Sequence, residues 1–464
     1  MDIIERFRGA VKIKTDWPAG ALPGDAGAEA PLRRFQDFLA ESYPGFHQRA
    51  ERWVLSPYSV VYRWPGRASG AAGAASAAAQ GAAVSGAGAE KAVLILAHYD
   101  VVPAEEEKWT ADPFGAEMRD GFIYGRGTLD MKGILIGIME AAESLCAGGF
   151  EPQGDIWFAF GGDEERAGIQ GAAEAAKWFA QRGQRFAWIL DEGPPVSENQ
   201  IKGIDSPLAL FGIEEKGFLS LDLRVAQQPG HASRPPKVQA AAILGRALCR
   251  IAKKPFPWRL IPTVENFFAQ LAPLSGGVQS FFMRHARALG GLFFRAVSGS
   301  PDIASLLHTT VAMTQLEGSA ADNVMPSEVR AVINLRLLHP WTVEKGIGFI
   351  KGVIGDERVQ VKIHGLGTDP VPASPEHAGR TGRGWKEMEA ALQAVYPGVP
   401  SLGFLMMATT DSRHYKDLTG GIFRFSPHRL NPREMSLVHG HDERISVENL
   451  RRGFEFYSHL LESL

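Results

Sequence analysis

Cysteine is scarce in this sequence. Its 464 residues include only two cysteines, Cys146 and Cys249, and each lies in an apolar stretch with the pattern of a helix. Two such thiols supply neither a disulfide framework nor the cysteine ligands of a zinc knuckle. We therefore expect both cysteines to be reduced and buried.

The sequence also lacks a large charge excess and a long apolar run. The formal net charge is -3 at pH 7, so no whole-chain basic field attracts nucleic acid or an anionic membrane, and any anion binding must be local. The first residues, MDIIERFRGAVKIKTDW, lack the apolar core of a signal peptide, and no later run approaches a membrane span. We expect a cytoplasmic protein with neither nucleic-acid nor membrane partners.

Apolar residues, in contrast, are plentiful. They form 45% of the chain, and a chain of this length favours two or more domains. Strand-like stretches such as SVVYRW (59–64), KAVLILAHYD (91–100), DIWFAFGG and FAWIL alternate with helical patterns. This rhythm predicts an α/β domain whose mostly parallel sheet is covered by helices. The Ala/Gly/Ser tract at 68–90 predicts a flexible hairpin extension between the first two of these strands, and we assign it no function.

A second domain is predicted inside the first. From residue 213 the pattern becomes strand, helix, two strands, helix, strand, which is typical of a small two-layer α+β domain. After residue 365 the helix and strand pattern of the first domain resumes, so residues 1–212 and 366–464 form one domain and 213–365 are inserted. The stretch 254–300 is rich in Phe and basic residues, which usually indicates core or interface, and an exposed patch there would be unusual.

Acids and histidines follow the predicted strands at several points. The strand LILAH leads directly to His98 and Asp100, which face the same way because alternate strand residues share a face. Glycines surround Asp130 in the loop GRGTLDMKG. Open α/β sheets gather functional groups at the carboxyl ends of their strands, so we expect one site. The other candidates are Glu164, Glu165, Asp191, Glu192, His439, His441, Asp442 and Glu443.

These residue types favour a metal centre. Imidazoles and carboxylates suit Zn²⁺, with Mn²⁺ or Co²⁺ as substitutes, and the donors exceed what one ion needs. The set therefore predicts two ions per subunit that share a carboxylate and activate a water, while an unligated acid moves the proton. Each motif alone also has a structural interpretation, such as a helix cap at Asp130 or dipole-complementing acids at Glu164 and Glu165. For the site to be absent, the structural interpretation would have to be true of all five motifs at once.

Five motifs together resemble one enzyme family. HYDVVP, GRGTLDMKG, GGDEE, LDEG and HGHDERI, in this order, resemble the co-catalytic zinc metallopeptidase family of carboxypeptidase S, aminoacylase-1, carnosinase and succinyl-diaminopimelate desuccinylase. The carboxypeptidase S and N-acyl-amino-acid hydrolase branch is the most similar. The resemblance extends from about residue 50 to the end, and the Ala/Gly tract departs from it. It implies a zinc peptidase catalytic domain in 1–212 and 366–464, with a ferredoxin-like lid or dimerisation domain in 213–365.

The resemblance also implies roles for individual residues. Asp191 stays an alternative to Glu192, and His441 to His439, although the family spacing favours Glu192 and His439. The implied set is His98 and Glu192 on one zinc, Glu165 and His439 on the other, Asp130 bridging both, Asp100 orienting His98, and Glu164 as general base and acid.

Substrate-binding residues are implied in the same way. PGHASRP resembles the segment whose histidine, here His231, stabilises the oxyanion. Asn323 and Arg336 could assist substrate binding, although a strand arginine commonly forms only a structural ion pair. Arg413 could hold a substrate carboxylate, because a guanidinium binds carboxylates bidentately. The implied reaction is hydrolysis of a C-terminal peptide bond in short peptides, or alternatively of an N-acyl amino acid, and a homodimer through the lid domain is compatible with it.

Overall fold

The computed structural model describes residues 2–18, 20–67, 92–198, 201 and 203–464. The Ala/Gly tract at 68–90, for which the sequence predicts a hairpin extension, lies outside these residues. The chain divides into two compact units. Unit 1 contains Met1–Ile213, Ser374–Phe404 and Thr410–Leu464, and unit 2 contains Glu214–Ala373 and Leu405–Thr409.

The strands and helices of the described residues are numbered in chain order. The strands are β1 (Glu51–Ser56), β2 (Ser59–Trp64), β3 (Val93–His98), β4 (Met118–Arg119), β5 (Phe122–Tyr124), β6 (Ile156–Gly161), β7 (Trp188–Ser197), β8 (Leu208–Glu215), β9 (Gly217–Ala226), β10 (Gly230–His231), β11 (Thr310–Glu317), β12 (Val324–Met325), β13 (Glu328–Leu337), β14 (Gln360–Thr368), β15 (Ser401–Met406), β16 (Ile422–Leu430) and β17 (Arg444–Ser446). The helices are α1 (Ile3–Lys12), α2 (Ala26–Ser42), α3 (Pro44–Arg49), α4 (Lys132–Ala147), α5 (Ala172–Gln181), α6 (Ala240–Lys253), α7 (Pro262–Leu271), α8 (Gly277–Arg284), α9 (Ala286–Leu289), α10 (Gly291–Val297), α11 (Pro301–Leu307), α12 (Val343–Ile354), α13 (Pro375–Ala378), α14 (Trp385–Val395), α15 (Pro432–Met435) and α16 (Val447–Glu462).

An eight-stranded sheet in the order β1-β2-β6-β3-β7-β16-β8-β15 forms the centre of unit 1. Strand β3 pairs in parallel with both β6 and β7, and β16 pairs in parallel with β7. Every residue of β2, β3 and β6 is buried, as expected for strands covered on both faces. Helix α4 packs on β3 and against α16, while α5 packs on β2 and β6. The predicted α/β class, with a mostly parallel sheet and flanking helices, is confirmed.

A four-stranded antiparallel sheet in the order β11-β13-β9-β14 forms the centre of unit 2. Helices α6 and α12 lie against it, and their buried apolar residues form one core with the alternate buried residues of β9 and β13. The element order β9, α6, β11, β13, α12, β14 is the ferredoxin-like arrangement that the sequence predicts.

The structure differs from the sequence predictions at three points. Strands β2 and β3, which flank the Ala/Gly tract, do not pair as a hairpin, because β6 lies between them. The stretch AGIQGAAEAAKWFAQRG predicts a helix over 167–183, whereas α5 begins at Ala172 and ends at Gln181. Cys146 is buried as predicted, whereas Cys249 is exposed, because it lies on the outer side of α6. Among the described residues, no helix combines the length and hydropathy needed to cross a bilayer.

Candidate functional site

Acids and histidines converge at the carboxyl ends of β3 and β6 and in the middle of β7, in unit 1. Strand β3 ends at His98, β7 contains Glu192, and a short 3₁₀ turn at Glu164–Arg166 follows β6. The three strands are parallel neighbours, so their carboxyl ends lie at the same edge of the sheet.

Asp130 joins the two histidines of this cluster. Its Oδ1 lies 3.0 Å from Nε2 of His98, and its Oδ2 lies 2.9 Å from Nε2 of His439. Nε2 of His439 also lies 3.1 Å from Oε1 of Glu165, and Nε2 of His98 lies 3.6 Å from Oε1 of Glu192. One carboxylate therefore faces two imidazoles through separate oxygens.

The ligand atoms form two overlapping groups. Within each group, one ligand atom per residue lies within 4.8 Å of the others. The groups are His98, Glu164 and Glu192, and His98, Asp130 and Glu165.

The structure separates the neighbouring residues that the sequence leaves as alternatives. His439 lies in the cluster, whereas His441 is exposed and its Nε2 lies 3.3 Å from Oε2 of Glu105. Asp191 is buried, and its Oδ2 accepts a hydrogen bond of 2.8 Å from the Ser412 amide. The Asp191 carboxylate is thus hydrogen-bonded to a backbone amide, whereas the Glu192 carboxylate faces His98.

Asp100 orients three residues of the cluster. Nδ1 of His98 lies 3.0 Å from the Asp100 carbonyl oxygen and 3.4 Å from its Oδ1. Such contacts favour a proton on Nδ1 and leave Nε2 free to bind a metal. The Asp100 carboxylate also accepts hydrogen bonds of 3.1 Å from the amides of Glu164 and Glu165. The sequence predicts the contact with His98 but not the backbone contacts.

Glu443 connects two loops of the site, a role that the sequence does not reveal. It is fully buried, and its carboxylate accepts hydrogen bonds from Arg126 at 2.6 Å and from the Leu129 amide at 2.8 Å. Arg126 also donates to the carbonyl oxygen of His439 at 3.2 Å. The pair therefore ties the loop of Asp130 to the loop of His439. The sequence analysis includes Glu443 among the candidate acids of the site, but nothing in HGHDER indicates a buried partner.

Burial and like charges raise the pKa values of the site's glutamates. Burial, with the nearby charge of Asp130, raises the pKa of Glu192 to about 8. Burial and the charge of Glu192 raise the pKa of Glu164 well above its usual range. Burial also raises the pKa of Glu165, although a hydrogen bond with His439 opposes this shift. Concentrated negative charge in a desolvated site is unfavourable unless a cation offsets it.

The pKa values of Asp130 and His439 move in opposite directions. Hydrogen bonds with the two histidines outweigh burial and hold the pKa of Asp130 well below its usual range. Hydrogen bonds with Asp130 and Glu165 raise the pKa of His439 to about 10. Asp130 is thus held as a carboxylate. The mixture of imidazole nitrogens and carboxylate oxygens fits divalent cations such as Zn²⁺.

The predicted substrate-binding residues lie in both units. In unit 1, Arg413 is buried, and its Nη1 donates to the Thr410 carbonyl oxygen at 2.8 Å. In unit 2, Arg336 lies over the ring of Phe218, at 4.9 Å from its centroid.

Unit 2 also brings His231 and Asn323 to neighbouring positions. Strand β10 ends at His231, which pairs with Val324 of β12, and Asn323 directly precedes Val324 in the chain. The Asn323 carbonyl oxygen accepts a hydrogen bond of 3.0 Å from the Ala232 amide. Nδ1 of His231 lies 2.8 Å from the Ser233 hydroxyl, and the histidine side chain is exposed.

Gly193 allows Glu192 to follow β7 into the site. A Cβ at Gly193 would lie 2.3 Å from the carbonyl carbon of Arg424 and 2.6 Å from the amide nitrogen of Phe425. We expect Gly193→Ala to lower the free energy of unfolding by about 1–3 kcal/mol, because rigid backbone must shift.

Urea unfolding of Gly193→Ala and Gly420→Ala tests this expectation. A Cβ at Gly420 would meet no atom within 4 Å, so this control should change the free energy of unfolding by less than about 0.5 kcal/mol. Equal losses in both variants would contradict the role given to Gly193.

The chain is similar to known proteins over nearly its whole length. The model of peptidase family M20/M25/M40 matches residues 94–463. The N-fatty-acyl-amino acid synthase/hydrolase of Xenopus tropicalis is 31% identical over 464 residues, covering 99% of this chain and 85% of the frog protein. A probable carboxypeptidase S-like 2 of Dictyostelium discoideum is 32% identical over 441 residues, covering 94% of this chain and 80% of that protein.

A solved structure has the same fold. The M20 family metallo-carboxypeptidase Sso-CP2 of Sulfolobus solfataricus matches with a TM-score of 0.69 at 16% sequence identity. The match covers 100% of this chain and 99% of that chain.

Proposed function

Because the chain belongs to peptidase family M20/M25/M40, we propose that it is a zinc-dependent hydrolase of the C-terminal peptide bond in dipeptides or short peptides. The family and the hydrolase class predicted from the sequence motifs are confirmed by the family match and the carboxypeptidase S-like relative. The observation that supports a two-metal reaction is the position of Asp130, whose two oxygens face the imidazoles of His98 and His439.

The proposed metal ligands come from the family resemblance, and these contacts support them. His98 and Glu192 would hold one ion, Glu165 and His439 the other, and Asp130 would bridge both. Zn²⁺ would supply Lewis acidity for the scissile carbonyl and for the attacking water. Co²⁺ or Mn²⁺ would be possible substitutes, since they accept the same nitrogen and oxygen donors.

Glu164 is the proposed proton carrier. Its carboxyl belongs to the group of His98 and Glu192, and Asp100 fixes its backbone. Burial raises the pKa of Glu164, so its carboxylate form is a stronger base than a solvated glutamate. Such a group can accept a proton from the attacking water and return it to the leaving nitrogen. Asp100 acts on this step by positioning Glu164 and His98.

Four further residues remain proposed substrate contacts. His231, with Asn323 close to it, is proposed to stabilise the oxyanion, and Arg336 and Arg413 to bind substrate, Arg413 through a carboxylate. Residues 213–365 are proposed as a lid or dimerisation domain. These assignments rest on the family resemblance.

N-acyl-amino-acid hydrolysis is a second candidate. The frog relative is named as an N-fatty-acyl-amino acid synthase/hydrolase and covers 99% of this chain. An amide bond between a fatty acid and an amino acid presents the same scissile carbonyl and terminal carboxylate as a peptide. The same metal ligands and Glu164 would serve both reactions.

A hydrolysis screen with a metal count on the same sample tests the proposal. We expect about two zinc ions per chain, turnover that falls to background after chelation, and recovery on adding Zn²⁺ or Co²⁺. Faster cleavage of dipeptides than of N-acyl amino acids would support the peptidase, and the reverse order would support the second candidate.

Two histidine variants serve as a matched pair in this screen. His98→Ala should lose metal and turnover, whereas His441→Ala should retain both, because His441 lies outside the cluster. Turnover that resists chelation, or equal metal loss in the two variants, would reject the proposed centre.

A further inference from the structure

The short helices of unit 2 present an apolar stripe to solvent. Val278 and Phe281 are spaced three residues apart, so they lie on one face of α8, and Leu274 ends the short 3₁₀ turn before this helix. Val278 is 73% exposed, Phe281 53% and Leu274 37%. We call these three residues the apolar stripe. Its ring surface continues to His285, whose ring centroid lies 4.7 Å from that of Phe281.

The opposite side of these helices is packed. Met283 and Ala286 are buried, and the Ser280 hydroxyl donates to the Ala272 carbonyl oxygen at 2.6 Å. On α10, Phe293 is buried against Phe268, with ring centroids 5.4 Å apart, while Leu292 is 58% exposed. The buried core of these helices is therefore formed by other side chains, and the three residues of the apolar stripe do not contribute to it.

Basic residues accompany the stripe. Residues 254–300 contain five lysines and arginines but a single acid, Glu265, in a chain whose net charge is -3. Arg287 forms an ion pair with Glu265. Arg284, at the end of α8, and Arg295, on α10, are exposed. Arg284 therefore lies in the same helix as Val278 and Phe281, and the segment 254–300 is net positive, opposite to the balance of the whole chain.

This combination selects among possible occupants. Phe, Leu and Val flanked by arginines are typical of helices that lie in the interface of a bilayer, where apolar side chains enter and basic ones bind lipid phosphates. A second copy of the stripe would bring like-charged arginines together, which opposes association. Nucleic acid would match the arginines but leave the aliphatic side chains without a partner.

We propose that the apolar stripe, with Arg284 and Arg295, binds the surface of a bilayer that contains anionic lipids. Val278 and Phe281 enter the boundary between headgroups and acyl chains, and the two arginines contact phosphate groups. The proposal concerns unit 2 alone and does not depend on the reaction proposed above. It departs from the expectation of no membrane partner, which rests on the charge and hydropathy of the whole chain.

Vesicle flotation of the full chain tests the proposal. We expect binding to phosphatidylcholine vesicles that contain phosphatidylglycerol, weaker binding to phosphatidylcholine alone, and a loss of binding as salt rises. Val278→Ser with Phe281→Ser should weaken binding roughly tenfold or more, because the buried apolar area is lost. Arg284→Glu with Arg295→Glu should weaken it at least tenfold on anionic vesicles alone.

Controls separate this effect from misfolding. Leu22→Ser removes a 69% exposed leucine of unit 1 and should leave vesicle binding unchanged. All variants should retain the circular dichroism of the parent chain and its metal content. Failure of the parent chain to bind anionic vesicles, or equal binding by the stripe variants, would overturn the proposal.

Sedimentation of the same variants distinguishes a second copy from a bilayer. A stripe variant that turns a dimer into a monomer while vesicle binding stays unchanged would also overturn the proposal. Hydrolysis is measured separately on a water-soluble dipeptide, so failure of the reaction and failure of membrane binding give different results.

Discussion

Replacing Glu164 with Gln should abolish hydrolysis without removing metal, whereas the same change at Glu165 should release metal. Glu164→Gln keeps the shape of the side chain but cannot accept a proton, and general acid–base catalysis typically contributes roughly 10²–10⁴-fold to the rate. Glu165 lies 3.1 Å from His439, on the side of Asp130 that faces the second imidazole. Metal content, measured with kcat on the same samples, distinguishes the two variants.

The adjacent position of the two glutamates makes this comparison strict. The Asp100 carboxylate holds both of their amides at 3.1 Å, so each variant keeps the same backbone support. A change in the turn itself would affect both variants alike. If Glu164→Gln lost metal as readily as Glu165→Gln, Glu164 would be a ligand and another group would have to move the proton.

Replacing Glu443 should damage both stability and metal binding. Glu443→Ala leaves Arg126 buried without its carboxylate, and breaking a buried ion pair from one side typically costs about 3–5 kcal/mol. The variant also frees the loops of Asp130 and His439 from each other. We expect roughly 10–100-fold weaker metal binding, the usual loss when support of ligands is removed. Urea unfolding and competition with a chelating dye measure the two effects.

A double variant separates positioning from stability. Arg126→Met with Glu443→Leu removes both charges, so it should recover much of the lost stability. It should not recover metal affinity, because neither residue can then bind the ligand loops. Glu105→Gln is a control for an exposed glutamate and should change stability by less than about 1 kcal/mol. Parental metal affinity in Glu443→Ala would exclude the positioning role.

The sequence predicts the fold class well because each element has a clear hydrophobic pattern. Strand β3 ends at His98, where the apolar run of the sequence meets its first polar residue. An inserted domain at 213–365 is predicted for the same reason, because alternating strands replace the buried strands of the sheet. Unit 2 of the structure contains Glu214–Ala373 and Leu405–Thr409. Pairing is less predictable: β2 and β3 are near in sequence, yet β6 from beyond α4 separates them.

The candidate site is predictable where a motif specifies a residue and its spacing. His98, Asp130, Glu165, Glu192 and His439 come together in one cluster, with contacts of 2.9–3.6 Å. Supporting contacts are harder to predict, because they join residues far apart in the chain. Arg126 and Glu443 are separated by 317 positions. No pattern in either motif indicates that one charge will be buried against the other.

The position of β16 has a consequence for how the protein is made. This strand begins at Ile422, after the whole of unit 2, yet its Phe423 pairs with Leu190 of β7. At roughly 5–20 residues per second of translation, β7 waits about 10–50 s for its neighbour. Most of unit 2 is one continuous segment, so it can complete its own sheet in that interval. His439 follows later still, so the proposed metal centre forms only after β16 has been made.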